Sequence, residues 1–430
     1  MVSEELLWVL WQNLLFSVED LTTTKQEQII IKRNGTLNKH AGPDFSMAHL
    51  VIGAIEWRGD VEIHTRASDW NKHKHQHDPA YESVILHVVY EADEEIIRSD
   101  GTAIPVLELK NRISENHLKT YENLMLANSV LPCEKLFNKV NPIVIEQMKQ
   151  RILVERLERK TDDLYQLLKE QPHWKMMAGR LIFKSFGTGL NDVLFERLAE
   201  HIDFNKLDRL SYAPKSIEAL LFGMAGMLEG DMKDPYPNEL KKEFTYLQRT
   251  LQVDPVVQES EWKFLRTRPT NFPTIRLAQL AAIFTNPDWY INFIRIRDIK
   301  DSQVFFMNSI HGYWLNHYRF DVESPPLNKH IGKAFINTFL INACIPYIAL
   351  EARYTKDDEK WNDVFQCIDA LKAEDNTITR LWSKLGMKMQ TGFDSQASLE
   401  LYKMYCTRKK CLSCSIGFSI LRNEFVPAAV

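Results

Sequence analysis

The amino-acid pattern changes near residue 130, and this change constrains the fold more than any other feature. Before it, short runs rich in β-branched and aromatic residues alternate with turn signals such as Asn34 and Gly35. From about Pro142 onward, apolar residues recur at helical spacing. A chain of 430 residues is also too long for one ordinary core. The sequence therefore predicts an α+β protein, with a mixed α/β sheet domain over residues 1–130 and a larger, mainly α-helical region over 131–430.

Periodicity within the first region predicts the order of its elements. A helix is expected over residues 3–15, with Leu6, Leu7 and Leu10 in its apolar stripe. We expect a turn at Gly59 and a loop or short helix over 68–81. Strands are predicted at 28–32, within 45–57 as one long strand or a bent pair, at 61–66 and at 84–90. The resulting order is α-β-β-β-(α)-β.

Charge and hydropathy narrow the class of protein. A net charge of -4 gives no global attraction for nucleic acid, although it leaves room for a local basic groove. The longest apolar stretch, 335–350, is interrupted by Asn342 and Pro346 and falls short of the ~20 residues that a bilayer requires, so a buried helix is predicted. Glu4 and Glu5 near the start argue against a secretory signal. We expect a cytoplasmic protein without a membrane segment.

One predicted strand, 60–66, carries chemistry on a single face. Side chains alternate along a strand, so Glu62 and His64 share a face. Asp44 stands just before the preceding strand, and an antiparallel return would bring its carboxylate near Glu62. Two such carboxylates can hold Mg²⁺ or Mn²⁺, and His64 could complete the site. In the alternative interpretation, Asp44 caps a turn, and Glu62 and His64 lie on a solvated strand face.

This arrangement resembles the PD-(D/E)xK nuclease superfamily over about the first 95 residues. The core of that superfamily has the order α-β-β-β-α-β, with an Asp that opens the second strand and a Glu-x-Lys on the third. The resemblance implies that Asp44 and Glu62 are metal ligands and that His64 stands where the superfamily has its Lys. A neutral imidazole can act as base or ligand, but it lacks the permanent charge of a lysine.

A polar segment, 69–78, places His73, His75 and His77 at alternate positions. Imidazoles in such a segment could bind a transition metal or position a phosphate. Some versions of the nuclease fold carry His after the Glu strand, which favours these three residues as catalytic accessories. Two alternatives stay open: an exposed polar loop, and a different metallohydrolase built on the histidines.

Three cysteines crowd the C-terminal region at Cys406, Cys411 and Cys414. Their spacing is that of thiolates that share Zn²⁺ or an iron–sulfur cluster. A fourth ligand is missing locally and would have to come through the fold, and reduced packing thiols are the alternative. The candidates for that fourth ligand are Cys133, Cys344, Cys367 or a histidine.

Over nearly its full length, the chain resembles an uncharacterised bacterial domain-of-unknown-function family. The motifs that carry this resemblance are the segments 42–45, 59–64, 69–78 and 268–279 together with the cysteine tail. The family implies a bacterial cytoplasmic protein and supplies no activity. Our functional hypothesis is therefore a divalent-metal-dependent nuclease, or a nuclease-derived protein, that acts on nucleic acid. A non-catalytic nucleic-acid or protein-binding scaffold with a structural metal site is the alternative.

Overall fold

The computed structural model describes residues 2–265, 267–307, 310 and 312–423. The chain forms two compact units. The first comprises residues 1–151, 380–387 and 398–430, and the second comprises 152–379 and 388–397. A sheet in the first unit is followed by a mainly helical region, so the predicted α+β class is confirmed. The domain boundary predicted at residue 130 stays a prediction.

The first unit is built on a mixed sheet in the strand order β1-β3-β4-β5-β6, with β2 paired to β3. β3 is antiparallel to β1, β2 and β4, whereas β5 is parallel to both β4 and β6. Its elements up to α3 are α1 Glu4–Asn13, β1 Ile29–Arg33, β2 Thr36–Leu37, β3 Phe45–Ile52, β4 Ile55–Arg66, α2 Asp69–Lys72, β5 Val84–Glu91, β6 Val106–Glu108 and α3 Glu115–Met125.

The turn predicted at Gly59 is wrong, because β4 runs unbroken through that residue. The chain reverses instead between Ile52 and Ile55, which face each other across a two-residue loop that begins with Gly53 at φ 61°. Gly59 serves close packing. A Cβ there would lie 2.4 Å from the Ser83 carbonyl oxygen, so glycine is needed within the strand.

Helix α1 is fixed at its start and along one face. The Ser3 hydroxyl accepts a hydrogen bond from the Leu6 N–H at 3.3 Å and lies 2.8 Å from the Tyr121 hydroxyl. This cap holds Glu4 in the first turn. The apolar stripe of α1 joins one buried cluster with Val61 and Ile63 of β4. Those two residues alternate with Glu62 and His64, which therefore lie on the opposite face of the strand.

The second unit is largely helical and holds the larger buried core. A continuous helical stretch from Lys333 to Thr355 has the length and apolar content to cross a membrane, but 72% of its most apolar window is buried inside the protein. This confirms the predicted buried helix. In the 268–279 motif, Arg276 is buried and donates to Asn271 and Gln279.

The remaining elements follow in chain order. Two π-helical segments, Leu340–Cys344 and Tyr402–Cys406, extend their neighbouring helices. The others are α4 Pro142–Glu170, α5 Trp174–Phe186, α6 Asp192–Glu200, α7 Phe204–Arg209, α8 Pro214–Met224, α9 Pro235–Leu251, α10 Pro273–Phe284, α11 Trp289–Ile294, α12 Ile299–Phe305, α13 Tyr313–Asn316, β7 His317–Arg319, β8 Val322–Glu323, α14 Lys333–Phe339, α15 Ile345–Thr355, α16 Asp358–Asp369, α17 Thr377–Lys384, α18 Gly392–Leu401 and α19 Ser415–Leu421.

Candidate metal centre

Asp44 and Glu62 lie side by side because of the register between β3 and β4. Phe45 faces Val61 in that antiparallel pair, so the residues before and after them are neighbours. The Asp44 N–H donates to Glu62 Oε2 at 3.1 Å, and Asp44 Oδ2 accepts from the Ile63 N–H at 2.9 Å. Each carboxylate is therefore held by a backbone N–H from the other strand.

Three histidines gather next to Glu62. One ring nitrogen from each of His64, His73 and His75 lies within 4.8 Å of the other two. Glu62 Oε1 is 3.4 Å from His64 Nε2 and 3.5 Å from His75 Nε2. His64 comes from β4, His73 directly follows α2, and His75 begins the short 3₁₀ turn His75–His77. Between them, Lys74 takes a left-handed conformation at φ 62°, which reverses the chain locally.

His77 lies outside this group. It is exposed and lines a cavity of about 280 Å³ together with His75 and Tyr81. The Tyr81 ring stacks on the His75 ring at a centroid distance of 3.8 Å. The structure thus brings together five of the six residues proposed from sequence as catalytic, and it places His77 on the neighbouring cavity wall.

Burial makes the ionised forms of Asp44 and Glu62 energetically unfavourable. Glu62 is only 4% exposed, so the alternative of a solvated strand face is wrong for this residue. Burial, followed by the charge of Asp44, raises the pKa of Glu62 to about 9. Burial likewise raises the pKa of Asp44 to about 6, partly opposed by the Ile63 N–H. A buried carboxylate pair of this kind calls for a proton or a cation.

The neighbouring imidazoles are kept neutral. Burial, then the charges of His75 and His73, lowers the pKa of His64 to about 3, and His64 is 2% exposed. Burial lowers the pKa of His75 to about 4. A neutral imidazole is the form that binds metal. His75 Nε2 is buried with no hydrogen-bond partner among the described residues, although it faces Glu62 Oε1. The donor set therefore fits a divalent metal ion.

Sequence analysis left three contributors to this site without a role. The charge of Glu4 raises the pKa of Asp44 and of Glu62. Burial raises the pKa of Glu4 itself, and the charge of His73 partly opposes that shift. His87 Nε2 lies 2.9 Å from His64 Nδ1, in the parallel strand β5. Burial raises the pKa of Tyr81 to about 12, and the charges of Glu62 and Asp44 add to the shift. For these residues, the one signal available in the sequence was the acidic first turn of α1, which contains Glu4. Its position beside the strands could not be predicted, because tertiary packing alone brings Glu4 there.

The fold supplies a fourth cysteine to the C-terminal three. Cys133 lines the same small cavity as Cys406, Cys411 and Cys414, and all four are buried without disulfide bonds. Burial, then repulsion from the other thiols, raises the pKa of Cys133 and of Cys406. The other two candidates, Cys344 and Cys367, belong to the second unit.

Comparison with known proteins identifies a family. The sequence profile of a family described as a protein of unknown function (DUF2851) matches residues 4–377. No curated protein and no solved structure matches the chain.

Proposed function

The chain belongs to the DUF2851 family, and we propose that it is a divalent-metal-dependent nuclease of the cytoplasm that acts on nucleic acid. One observation carries the proposal: the Glu62 carboxylate lies between Asp44 and the imidazoles of His64 and His75. Carboxylate and imidazole donors thus converge on one buried point of the sheet.

The choice of phosphodiesters as substrate depends on the arrangement of elements. Helix α1 precedes β1, β3 and β4, and α2 separates β4 from β5. Apart from the two-residue strand β2 and the additional strand β6, that order agrees with the α-β-β-β-α-β order of the superfamily that the sequence resembles. Asp44 immediately precedes β3, and Glu62 lies within β4. Both acidic residues therefore occupy the positions that the resemblance implies for metal ligands.

The residues divide into three roles. Glu62, His64 and His75 would hold the ion, because Glu62 Oε1 lies 3.4 Å from His64 Nε2 and 3.5 Å from His75 Nε2. Asp44 adds the second carboxylate, and exposed His73 adds the third imidazole. A divalent ion held here supplies Lewis-acid polarisation of a phosphoryl oxygen and acidifies water.

The donor set also ranks the metals. Carboxylates suit Mg²⁺ and Mn²⁺, whereas imidazoles suit Zn²⁺ and the later transition metals. Three histidines within 4.8 Å of one another therefore favour Zn²⁺ over Mg²⁺, and the two carboxylates keep Mn²⁺ a candidate. This ranking agrees equally with a metallohydrolase of another substrate class built on the same histidines.

A second candidate is a nuclease-derived scaffold that binds nucleic acid or protein without cleavage. The observation that favours it is the neutral, buried His64 at the position of the superfamily's lysine. The nearby Lys72 is engaged by Asp69 at 2.6 Å. A protein without a fixed cation beside the scissile phosphate can lose cleavage and still bind nucleic acid.

The test uses purified full-length protein with labelled single- and double-stranded DNA and RNA, in Mn²⁺, Zn²⁺ or Mg²⁺. Asp44→Asn and Glu62→Gln should each abolish cleavage and weaken Mn²⁺ binding by calorimetry. Glu56→Gln, on the same strand but exposed, is the matched control and should keep both. Metal binding with no cleavage of any nucleic acid would support the scaffold. Cleavage that persists in Asp44→Asn and Glu62→Gln would overturn the proposed site.

A further inference from the structure

The four cysteines of the first unit surround one small cavity, and three different segments supply them. Cys133 lies between α3 and α4, and Cys406 ends the π-helical segment after α18. Cys411 and Cys414 lie in the turn before α19. Each is between 8% and 9% exposed, so the four thiols are shielded to the same degree. Packing alone does not require four of the chain's six cysteines to share a cavity.

The local backbone is shaped for this turn. A Cβ on Gly417 would lie 2.3 Å from the Cys411 carbonyl oxygen and 3.0 Å from its Cα, so only glycine lets α19 approach the Cys411 segment. The Arg151 guanidinium donates to the Ser413 carbonyl oxygen at 2.8 Å and secures the segment between Cys411 and Cys414. The positions of these two sulfurs are thus fixed by packing.

The distances between the four sulfurs distinguish a zinc site from a site for a larger cofactor. A single tetrahedral Zn²⁺ with Zn–S bonds of about 2.3 Å needs its four sulfurs roughly 3.8 Å apart. Among the residues that the structure describes, the one set of three or more donors within 4.8 Å is His64, His73 and His75. No three of the four sulfurs are therefore close enough for one zinc ion. An iron–sulfur cluster spreads its thiolates over several irons and accepts the wider spacing.

Charge and surroundings agree with such a cluster. Lys410 lines the cavity, and the charge of Lys409 acts on Cys411. These cations offset the net negative charge that four thiolates bring to a cluster. The rest of the wall includes Trp382, Leu401 and Ile416, which exclude water. The spacing Cys406-x4-Cys411-x2-Cys414 also occurs among [2Fe–2S] proteins.

We propose that Cys133, Cys406, Cys411 and Cys414 bind an iron–sulfur cluster, of the [2Fe–2S] or [4Fe–4S] type. The cluster ties the segment that follows α3 to the C-terminal segment, which lies far away in the sequence but within the same compact unit. A cross-link over so long a loop restricts the unfolded chain strongly. The cluster is independent of the carboxylate and histidine site.

The experiment is anaerobic purification of the full chain, followed by quantification of iron, zinc and acid-labile sulfide. We expect iron and sulfide in equal amounts, and the Mössbauer spectrum distinguishes the two cluster types. Labile sulfide also separates a cluster from iron bound at His64, His73 and His75. Zinc without sulfide would overturn the proposal.

Variants assign the ligands. Cys133→Ser and Cys411→Ser should each lose most of the iron and sulfide, whereas Cys367→Ser, a matched buried cysteine in the second unit, should retain them. Because a variant can fail to fold, metal-free wild-type protein is also reconstituted with ferrous iron and sulfide under anaerobic conditions. Failure of the wild type to take up a cluster, or full retention of iron and sulfide in both ligand variants, contradicts the assignment.

Discussion

His87 Nε2 lies 2.9 Å from His64 Nδ1, and His87 is fully buried on the strand next to β4. When His64 carries its proton on Nδ1, it donates to His87, and its Nε2 lone pair faces Glu62 and His73. In that tautomer His87 supports His64 as a metal ligand, in the way that outer partners of metal-binding histidines do.

His87→Phe should therefore weaken Mn²⁺ binding by about 10- to 100-fold, the usual cost of losing an outer partner of a metal ligand. Calorimetric titration with Mn²⁺ measures the affinity. His87→Gln keeps a hydrogen-bonding group near Nδ1 and should lose less. Equal affinity in wild type and His87→Phe, with both folded by circular dichroism, would show that His64 needs no such support.

Glu62→Gln should stabilise the metal-free protein at pH 8 by on the order of 1 kcal/mol, because the Glu62 carboxyl, with a folded pKa of about 9, must take up a proton on folding and the neutral amide need not. The amide oxygen can still accept the Asp44 N–H bond. Urea unfolding in the presence of a chelator gives the free energy of unfolding. The exposed Glu56→Gln variant serves as control and should change stability little. Lower stability in Glu62→Gln than in the wild type would contradict this account.

The metal-free protein should lose stability as the pH rises from 7 to 9. The folded pKa of Glu62, about 9, lies above its ordinary value of 4.5, so the folded state holds a proton that the unfolded chain has released. This contribution to stability is complete below pH 4.5 and is lost as the pH passes through 9, at no more than about 1.4 kcal/mol per pH unit.

His64 and His75 do not disturb the stability measurement between pH 7 and 9. The pKa values of His64 and His75, about 3 and 4, are below the ordinary value of 6.5, so their effect on stability appears only as the pH falls below 6.5. Saturating Mn²⁺ should flatten the slope between pH 7 and 9, and Glu62→Gln should flatten it without metal. A metal-free wild type whose stability is constant over that range would refute the assigned protonation.

Gly59→Ala should destabilise the first unit by about 1–3 kcal/mol, the usual cost of overpacking. The added Cβ would lie 2.4 Å from the Ser83 carbonyl oxygen and 2.5 Å from Ile85 Cγ2. Thermal unfolding measures the loss. Gly332→Ala, where a Cβ meets no atom within 4 Å, should change the melting temperature much less. An unchanged melting temperature for Gly59→Ala would mean that β4 and β5 can separate there at little cost.

The sequence by itself determined the α+β class, the helix at the N-terminus and the shared strand face of Glu62 and His64, because these follow from local periodicity. It also indicated the neighbourhood of Asp44 and Glu62, since an antiparallel return brings adjacent strand ends together. It misplaced the hairpin turn, because a glycine in the sequence can indicate either a turn or close packing. Gly59 is needed for close packing against Ser83 and against Ile85 of β5.

Only the tertiary structure decided which distant residues meet. No local pattern places Glu4, His87 or Cys133 beside its partners, because these contacts depend on packing across long stretches of chain. The sequence also did not predict the burial of Glu62 and His64, because they lie in a segment of mixed polarity. Burial is what raises the pKa of Glu62 and keeps His64 neutral. Helix and strand patterns follow from local backbone geometry. The electrostatic environment of a residue depends on burial and on all the charges and hydrogen-bonding groups that folding brings near it.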